Sequence, residues 1–118
     1  MNEACPSPFN MAAYVMAAGH ATPDKIALEI LRASGAERWS FARLEAAVRG
    51  TGAGLAAMGL PPGARVLLRL GNSVDFPLAF LGALAVGLVP VPTSTALTAP
   101  EITAIAQGLG PSLIVADD

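Results

Sequence analysis

The stretch from Gly63 to Thr93 constrains the fold of this chain more than any other part of the sequence. Gly63 closes a turn, and the apolar run 65–70 that follows is typical of a short buried strand. Segment 74–86 is long and apolar enough for a buried helix, and a second apolar run follows at 88–92. A strand, a helix and a strand within about 30 residues form a βαβ unit, which requires parallel strands and a right-handed crossover. The sequence therefore predicts an α/β fold.

The segments on either side of this unit add helices and strands to it. Asn10 and Ser40 stand where helix N-caps are expected, and Gly19, Gly59 and Gly110 stand where helices end. The predicted elements are a helix at 11–18, a hairpin of strands at 25–31 and 37–41, a helix from Ser40 to Gly59, a helix at 99–109 and a last strand at 112–116. We therefore expect a small sheet of about three parallel strands, flanked by helices and covered on both faces, together with an N-terminal β-hairpin.

The composition indicates that part of the surface is normally covered. Hydrophobic residues make up 53% of the chain and charged residues 14%, whereas about 25% charged residues is typical. A small domain has much surface for its volume and should be more polar than average. We expect a piece of a larger fold or an obligate oligomer, with a merely Ala-rich chain as the alternative. The isolated chain is then expected to self-associate through exposed apolar surface.

Charge and targeting patterns exclude several classes of protein. The net charge is −2 and there is no basic run, so neither a nucleic-acid interface nor a polybasic membrane patch is predicted. Cys5 stands alone and cannot form an internal disulfide. The start Met1-Asn2-Glu3 lacks the charged region of a signal peptide. The uninterrupted apolar part of 76–100 is about 15 residues, too short for a membrane span. A cytoplasmic location and a disordered lead at 1–8 are expected.

Three features invite a functional interpretation that we weigh against a structural one. His20, the single histidine, could be catalytic, but a surface histidine at a helix end is favoured. Trp39 could be a ligand platform, but packing at a sheet edge is favoured. The run 50–54 resembles a phosphate-binding glycine loop, yet Leu55 takes the place of its last glycine and a helix precedes it. Small residues for close helix packing explain this run better.

Motifs in a fixed order carry a resemblance to a known family. They are Trp39-Ser40-Phe41-Ala42-Arg43-Leu44, an Ala/Gly-rich helix, Leu60-x-x-Gly63-x-Arg65-Val66, Asn72-Ser73-x-Asp75-Phe76, and, after a second such helix, Gly87-Leu88-Val89-Pro90-Val91-Pro92. Together they resemble the opening of the AMP-forming acyl/aryl-acid ligases, the superfamily of acyl-CoA synthetases, peptide-synthetase adenylation domains and luciferases. The resemblance covers residues 9–118 and is greatest toward the acyl-CoA synthetase branch, near benzoate-type ligases.

The resemblance implies a two-step reaction in the parent protein. A carboxylic acid attacks the α-phosphorus of Mg-bound ATP and gives an acyl-adenylate and pyrophosphate, and the thiol of CoA then displaces AMP. ATP, Mg and CoA are thus the implied cofactors and co-substrates, with the metal travelling on ATP. The acid, and whether the acceptor is CoA or a carrier-protein pantetheine, stay open.

The resemblance also implies that no catalytic, cofactor-binding or metal residue lies in this chain. The family's phosphate loop with its lysine, its adenine and ribose contacts, and its C-terminal domain with the catalytic lysine belong beyond Asp118. Lys25, the single lysine, matches none of those positions, and the loop 95–97 lacks the basic residue that meets the CoA phosphate in some relatives. We therefore expect residues 9–118 to be a truncated N-terminal segment of the ligase domain, inactive alone.

A stand-alone α/β ligand-binding or interaction module is the alternative function. Parallel sheets of this kind bind ligands at the carboxyl ends of their strands. The polar side chains expected there are those of Asn72, Ser73, Thr93 and Ser94. Turn formation explains these four residues equally well.

Overall fold

Residues 3–117 are described by a computed structural model, and Met1, Asn2 and Asp118, which belong to the predicted lead and to the chain's last residues, lie outside that range. Helices and strands follow one another in the predicted order. Their bounds are α1 Met11–Ala17, β1 Ile26–Arg32, β2 Gly35–Ser40, α2 Phe41–Ala56, β3 Arg65–Arg69, α3 Asp75–Ala85, β4 Val89–Pro92, α4 Ala99–Leu109 and β5 Leu113–Ala116.

The main sheet has three parallel strands, as the sequence predicts, and the structure places them in the order β4-β3-β5. The central strand places Val66 beside Pro90 on one side and Leu113 on the other. The chain leaves β3 toward β4 and then returns past β3 to reach β5. Since crossovers between parallel strands are right-handed, this strand order places α3 and α4 on opposite faces of the sheet. The Arg65 guanidinium ties α4 to its face by donating to the carbonyl of Leu109 at 2.7 Å.

The N-terminal hairpin is a separate two-stranded antiparallel sheet in which Leu28 faces Trp39. The sequence predicts the return strand at 37–41, whereas β2 runs from Gly35 to Ser40, so both predicted ends lie too far along the chain. Gly35, with φ of 137°, already continues the ladder and pairs with Arg32. Phe41 is not a strand residue, because the Ser40 side chain caps α2 and makes Phe41 its first residue.

The core lies between β3 and α3. Val66, Leu67 and Leu68 are 0–1% exposed. A strand lies on each side of β3, and α3 packs against one of its faces. Alternate side chains of β3 pack against Ala79 and Ala83 of α3. The centre of β3 is therefore the most deeply buried part of the described chain.

Helices α2 and α3 pack closely through small residues. A Cβ added at Gly52 would lie 3.3 Å from the carbonyl oxygen of Gly82, and one at Gly82 would lie 2.8 Å from Cγ2 of Thr51. Positions 50 and 54 of the same run face open space. The packing interpretation of the glycine run is thus confirmed for Gly52 and wrong for Gly50 and Gly54, which lie on the outer side of α2.

Two further expectations are wrong in detail. Ala18, not Gly19, caps the C-terminus of α1, and Gly19 is instead needed where the ring of Phe41 leaves no room for a Cβ. The sheet is not covered on both faces throughout, since Val89 is 45% and Ile114 56% exposed. Part of both outer strands is therefore open to solvent.

Candidate functional site

The carboxyl edge of the main sheet contains a topological switch point. The loop after β3 leads to α3 on one face, and the loop after β4 leads to α4 on the other. Two adjacent parallel strands whose connections diverge in this way leave a crevice between their carboxyl ends, where α/β proteins bind ligands. The predicted polar residues lie at this edge, with Asn72 and Ser73 after β3, and Thr93 and Ser94 after β4.

Three of these four side chains form hydrogen bonds within the chain, two of them in local turns. The Thr93 hydroxyl donates to the carbonyl of Leu68 at 2.7 Å. The Ser73 hydroxyl accepts the backbone N–H of Asp75 at 3.3 Å, and Ser94 accepts that of Ala96 at 3.1 Å. Turn formation therefore accounts for Ser73 and Ser94, whereas the Thr93 hydroxyl bonds across to the neighbouring strand β3.

Arg69 is a residue of this edge that the sequence interpretation missed. Its Nη2 donates to the carbonyls of Thr95 and Leu97, at 3.0 and 3.4 Å, and so holds the loop after β4 against the sheet. Its Nε is buried without a hydrogen-bond partner among residues 3–117. A guanidinium therefore lies beside the loop 95–97, although that loop has no basic residue of its own. An arginine within an apolar strand run was the signal that could have indicated it.

A groove of about 320 Å³ separates the hairpin from the carboxyl end of β3. Its lining combines apolar side chains with the polar residues Glu29, Asn72 and Ser73. Glu29 in its lining is held by Arg38 at 2.8 Å. The other lining residues are Leu28, Ile30, Leu70, Gly71, Asn72, Ser73, Phe76 and Pro77.

His20 is exposed just after α1, as the surface interpretation predicts. Its Nε2 lies 3.3 Å from Oε1 of Glu45, and the same oxygen accepts from Arg49 at 2.9 Å. The hydrogen bond from Arg49, and then that from His20, hold the pKa of Glu45 below its ordinary value. The three groups form a hydrogen-bonded cluster that joins the segment after α1 to α2.

Trp39 is buried at 8% exposure and packs at the hairpin as expected. Its indole N–H donates to Glu37 at 2.9 Å, and the Arg43 guanidinium lies 3.7 Å from the ring centroid. Hydrogen bonds from Trp39 and then from Arg32 lower the pKa of Glu37. The indole N–H and one face of the ring therefore already contact residues of this chain.

Metal ligands and membrane spans can be assessed over residues 3–117. In that range, no group of three or more His, Cys, Asp or Glu side chains lies close enough together to hold a metal ion. None of the helices described there combines the length and the apolar character that crossing a membrane requires.

Solved structures with the same architecture define the class of this fold. A benzoate CoA ligase from Burkholderia xenovorans superimposes with a TM-score of 0.81 at 30% identity, over 92% of this chain and 21% of the ligase. ATP-bound MatB from Rhodopseudomonas palustris gives a TM-score of 0.80 at 30% identity, over 92% of this chain and 21% of MatB. The α/β segment is therefore that of the adenylate-forming enzymes.

Sequence comparison places the chain within a family. The model of the AMP-binding enzymes matches residues 15–118, and the chain belongs to that family. It is 42% identical over 62 residues to the 4-hydroxybenzoate–CoA/benzoate–CoA ligase of Rhodopseudomonas palustris, over 52% of this chain and 12% of that protein. It is 30% identical over 98 residues to enterobactin synthase component E of Escherichia coli, over 83% of this chain and 18% of that protein. The chain thus spans less than a fifth of these relatives.

Proposed function

We propose that this chain is the N-terminal scaffold segment of an AMP-dependent ligase. The parent protein would activate a carboxylic acid with Mg-bound ATP to an acyl-adenylate and transfer the acyl group to CoA. The match to the AMP-binding enzymes over residues 15–118 carries the proposal. The names of the relatives, which include benzoate–CoA and long-chain-fatty-acid–CoA ligases, support the choice of CoA as acceptor.

The chemistry explains why we assign a scaffold role. Bringing a carboxylate to a triphosphate requires hydrogen-bond donors, a cation and a metal ion at the developing charge. The single lysine of this chain, Lys25, is exposed before the hairpin. What the segment supplies is a rigid strand edge, with β3 at its centre and the loop after β4 held by Arg69. The reacting groups would come from the rest of the parent protein.

A chimera tests the scaffold role. Residues 9–118 would replace the matching segment of the Rhodopseudomonas palustris benzoate–CoA ligase, and benzoate-dependent pyrophosphate release would be measured. We expect an active chimera that keeps the acid preference of the recipient, while the 118-residue chain alone releases no pyrophosphate. As a matched control, the same chimera with Leu67→Asp should be inactive, since a carboxylate at a 1% exposed position disrupts the sheet. A folded but inactive chimera, or activity of the chain alone, would contradict the proposal.

The groove beside the hairpin is the observation that favours the alternative, a small ligand-binding module. Binding would raise the melting temperature of the chain by mass action. We therefore expect a module, but not a scaffold segment, to be stabilised by ATP, CoA or benzoate. An unchanged melting temperature at saturating concentrations removes this alternative.

A further inference from the structure

The central strand β3 carries an arginine near each end of the face on the side of α4. Its even-numbered residues, Val66 and Leu68 among them, belong to the core cluster with α3. Because side chains alternate along a strand, Arg65, Leu67 and Arg69 lie on the opposite face. The strands of a parallel sheet are normally apolar along their whole length. Two arginines at these three positions are therefore unusual.

The two arginines bind opposite ends of the connection from β4 to β5. The Arg65 guanidinium donates to the carbonyl of Leu109, the last residue of α4, at 2.7 Å. The Arg69 guanidinium donates to the carbonyls of Thr95 and Leu97, which precede α4, at 3.0 and 3.4 Å. Hydrogen bonds from a charged donor are stronger than those between neutral groups. The central strand thus holds this connection at both of its ends.

The loop after β4 depends on Arg69 for its attachment to the sheet. At the start of the loop, the N–H and the hydroxyl of Thr93 both donate to one carbonyl of β3, at 2.8 and 2.7 Å. Further along, Ser94 accepts the N–H groups of Ala96 and Leu97, at 3.1 and 3.3 Å, within the loop itself. In the described part of the chain, only the Arg69 guanidinium joins the middle of this loop to β3 by hydrogen bonds.

The loop after β4 forms one wall of the crevice between the carboxyl ends of β3 and β4. A wall that is already ordered favours binding, because a mobile loop loses conformational entropy when a ligand orders it. We propose that Arg69 is a positioning residue, which fixes this wall for a substrate of the parent ligase and adds little to the stability of the sheet. The inference rests on the proposed function for the nature of that ligand.

Amide hydrogen exchange of the 118-residue chain tests whether Arg69 holds the loop. Arg69→Leu should speed exchange of the Ala96 and Leu97 amides at least about tenfold, the factor that one hydrogen bond to a charged group supports. The midpoint of urea unfolding should stay unchanged, because leucine also removes a buried Nε that has no hydrogen-bond partner within residues 3–117.

Arg65→Leu is the matched control, since it makes the same change on the same face of the same strand. It should speed exchange at Gly110, whose N–H donates to Ala106 at the end of α4 at 2.9 Å, and leave the loop after β4 unchanged. Arg69→Lys is the conservative variant. It should restore part of the lost protection, because an ammonium group can also donate to two carbonyls.

Steady-state kinetics of the benzoate–CoA ligase chimera test the effect on the site. Arg69→Leu should raise the KM for one of benzoate, ATP and CoA at least about threefold, because that substrate must then order the loop. Arg65→Leu should leave all three KM values unchanged. A purely structural role for Arg69 would instead lower the amount of active enzyme, and so the apparent kcat, without changing any KM.

Three results would overturn the proposal. The first is unchanged exchange in the loop after Arg69→Leu, and the second is a lower urea midpoint with faster exchange throughout β3. The third is an active Arg69→Leu chimera whose three KM values equal those of the unsubstituted chimera. A chimera that is inactive before any substitution contradicts the proposed function instead, and the exchange experiment still decides whether Arg69 positions the loop.

Discussion

Glu101 and Thr98 form a reciprocal pair of hydrogen bonds at the start of α4. Oε2 of Glu101 accepts the backbone N–H of Thr98 at 2.7 Å, while the Thr98 hydroxyl accepts the backbone N–H of Glu101. This reciprocal capping box satisfies two N–H groups that a helix start leaves unpaired. The hydrogen bond from the Thr98 backbone, and then that from its side chain, lower the pKa of Glu101 from its ordinary 4.5.

We predict that Glu101 contributes to the acid sensitivity of the fold. A carboxylate with a lowered pKa in the folded state stabilises the protein fully above its unfolded pKa, and this contribution disappears as pH falls through the folded pKa. Glu101→Gln should therefore lower the free energy of unfolding at pH 7 and flatten its decline between about pH 5 and 3. Urea unfolding across that range measures the effect. Asp24→Asn, in the turn before the hairpin, is the control, and parallel acid profiles for E101Q and the parent would disprove the role.

At the scale of elements, the crossing of α2 and α3 depends on where the glycines lie. Gly82 faces Thr51 and Gly52 at distances that leave no room for a methyl group. Gly50 lies in α2, and a Cβ added there would have no heavy atom within 4 Å. The two positions allow a matched pair of substitutions to the same residue.

Gly82→Ala and Gly50→Ala should change stability in opposite directions. At Gly82, overpacking costs about 1–3 kcal/mol and exceeds the gain in helix propensity, so we expect a net loss of about 1 kcal/mol. At Gly50, alanine should stabilise by about 0.5–1 kcal/mol, because it fixes the helix without meeting a neighbour. The midpoints of urea unfolding measure both. Similar stabilisation by both substitutions would show that α2 and α3 are not closely packed.

At the scale of the whole molecule, burial from solvent differs strongly between the elements. The centre of β3 is enclosed on all sides, whereas none of the described residues of α4 is buried. Regions with few buried apolar contacts open at a lower free energy than the core.

We predict a matching gradient in amide hydrogen exchange. The amides of 66–68 should exchange at least about 100-fold more slowly than those in the middle of α4, since only the former require global unfolding. Exchange followed residue by residue tests this statement. Uniform protection across β3 and α4 would contradict the gradient.

The sequence alone predicted the order of the elements and the parallel sheet, because these depend on local periodicity and on the handedness of short crossovers. The caps at Asn10 and Ser40 were predictable for the same reason, since each bonds an N–H group three residues away. The family resemblance rested on the order of such local motifs.

Only the tertiary structure decided which side chains also form hydrogen bonds with groups that are distant in the sequence. It directs the Asn10 amide to the carbonyl of Ala85 and the Arg69 guanidinium to the loop after β4. It also leaves Val89 and Ile114 exposed in strands that read as fully buried. These contacts join residues far apart in the chain, and exposure depends on how much of the sheet one helix can cover. Local sequence patterns indicate neither these long-range contacts nor the exposed fraction of a side chain.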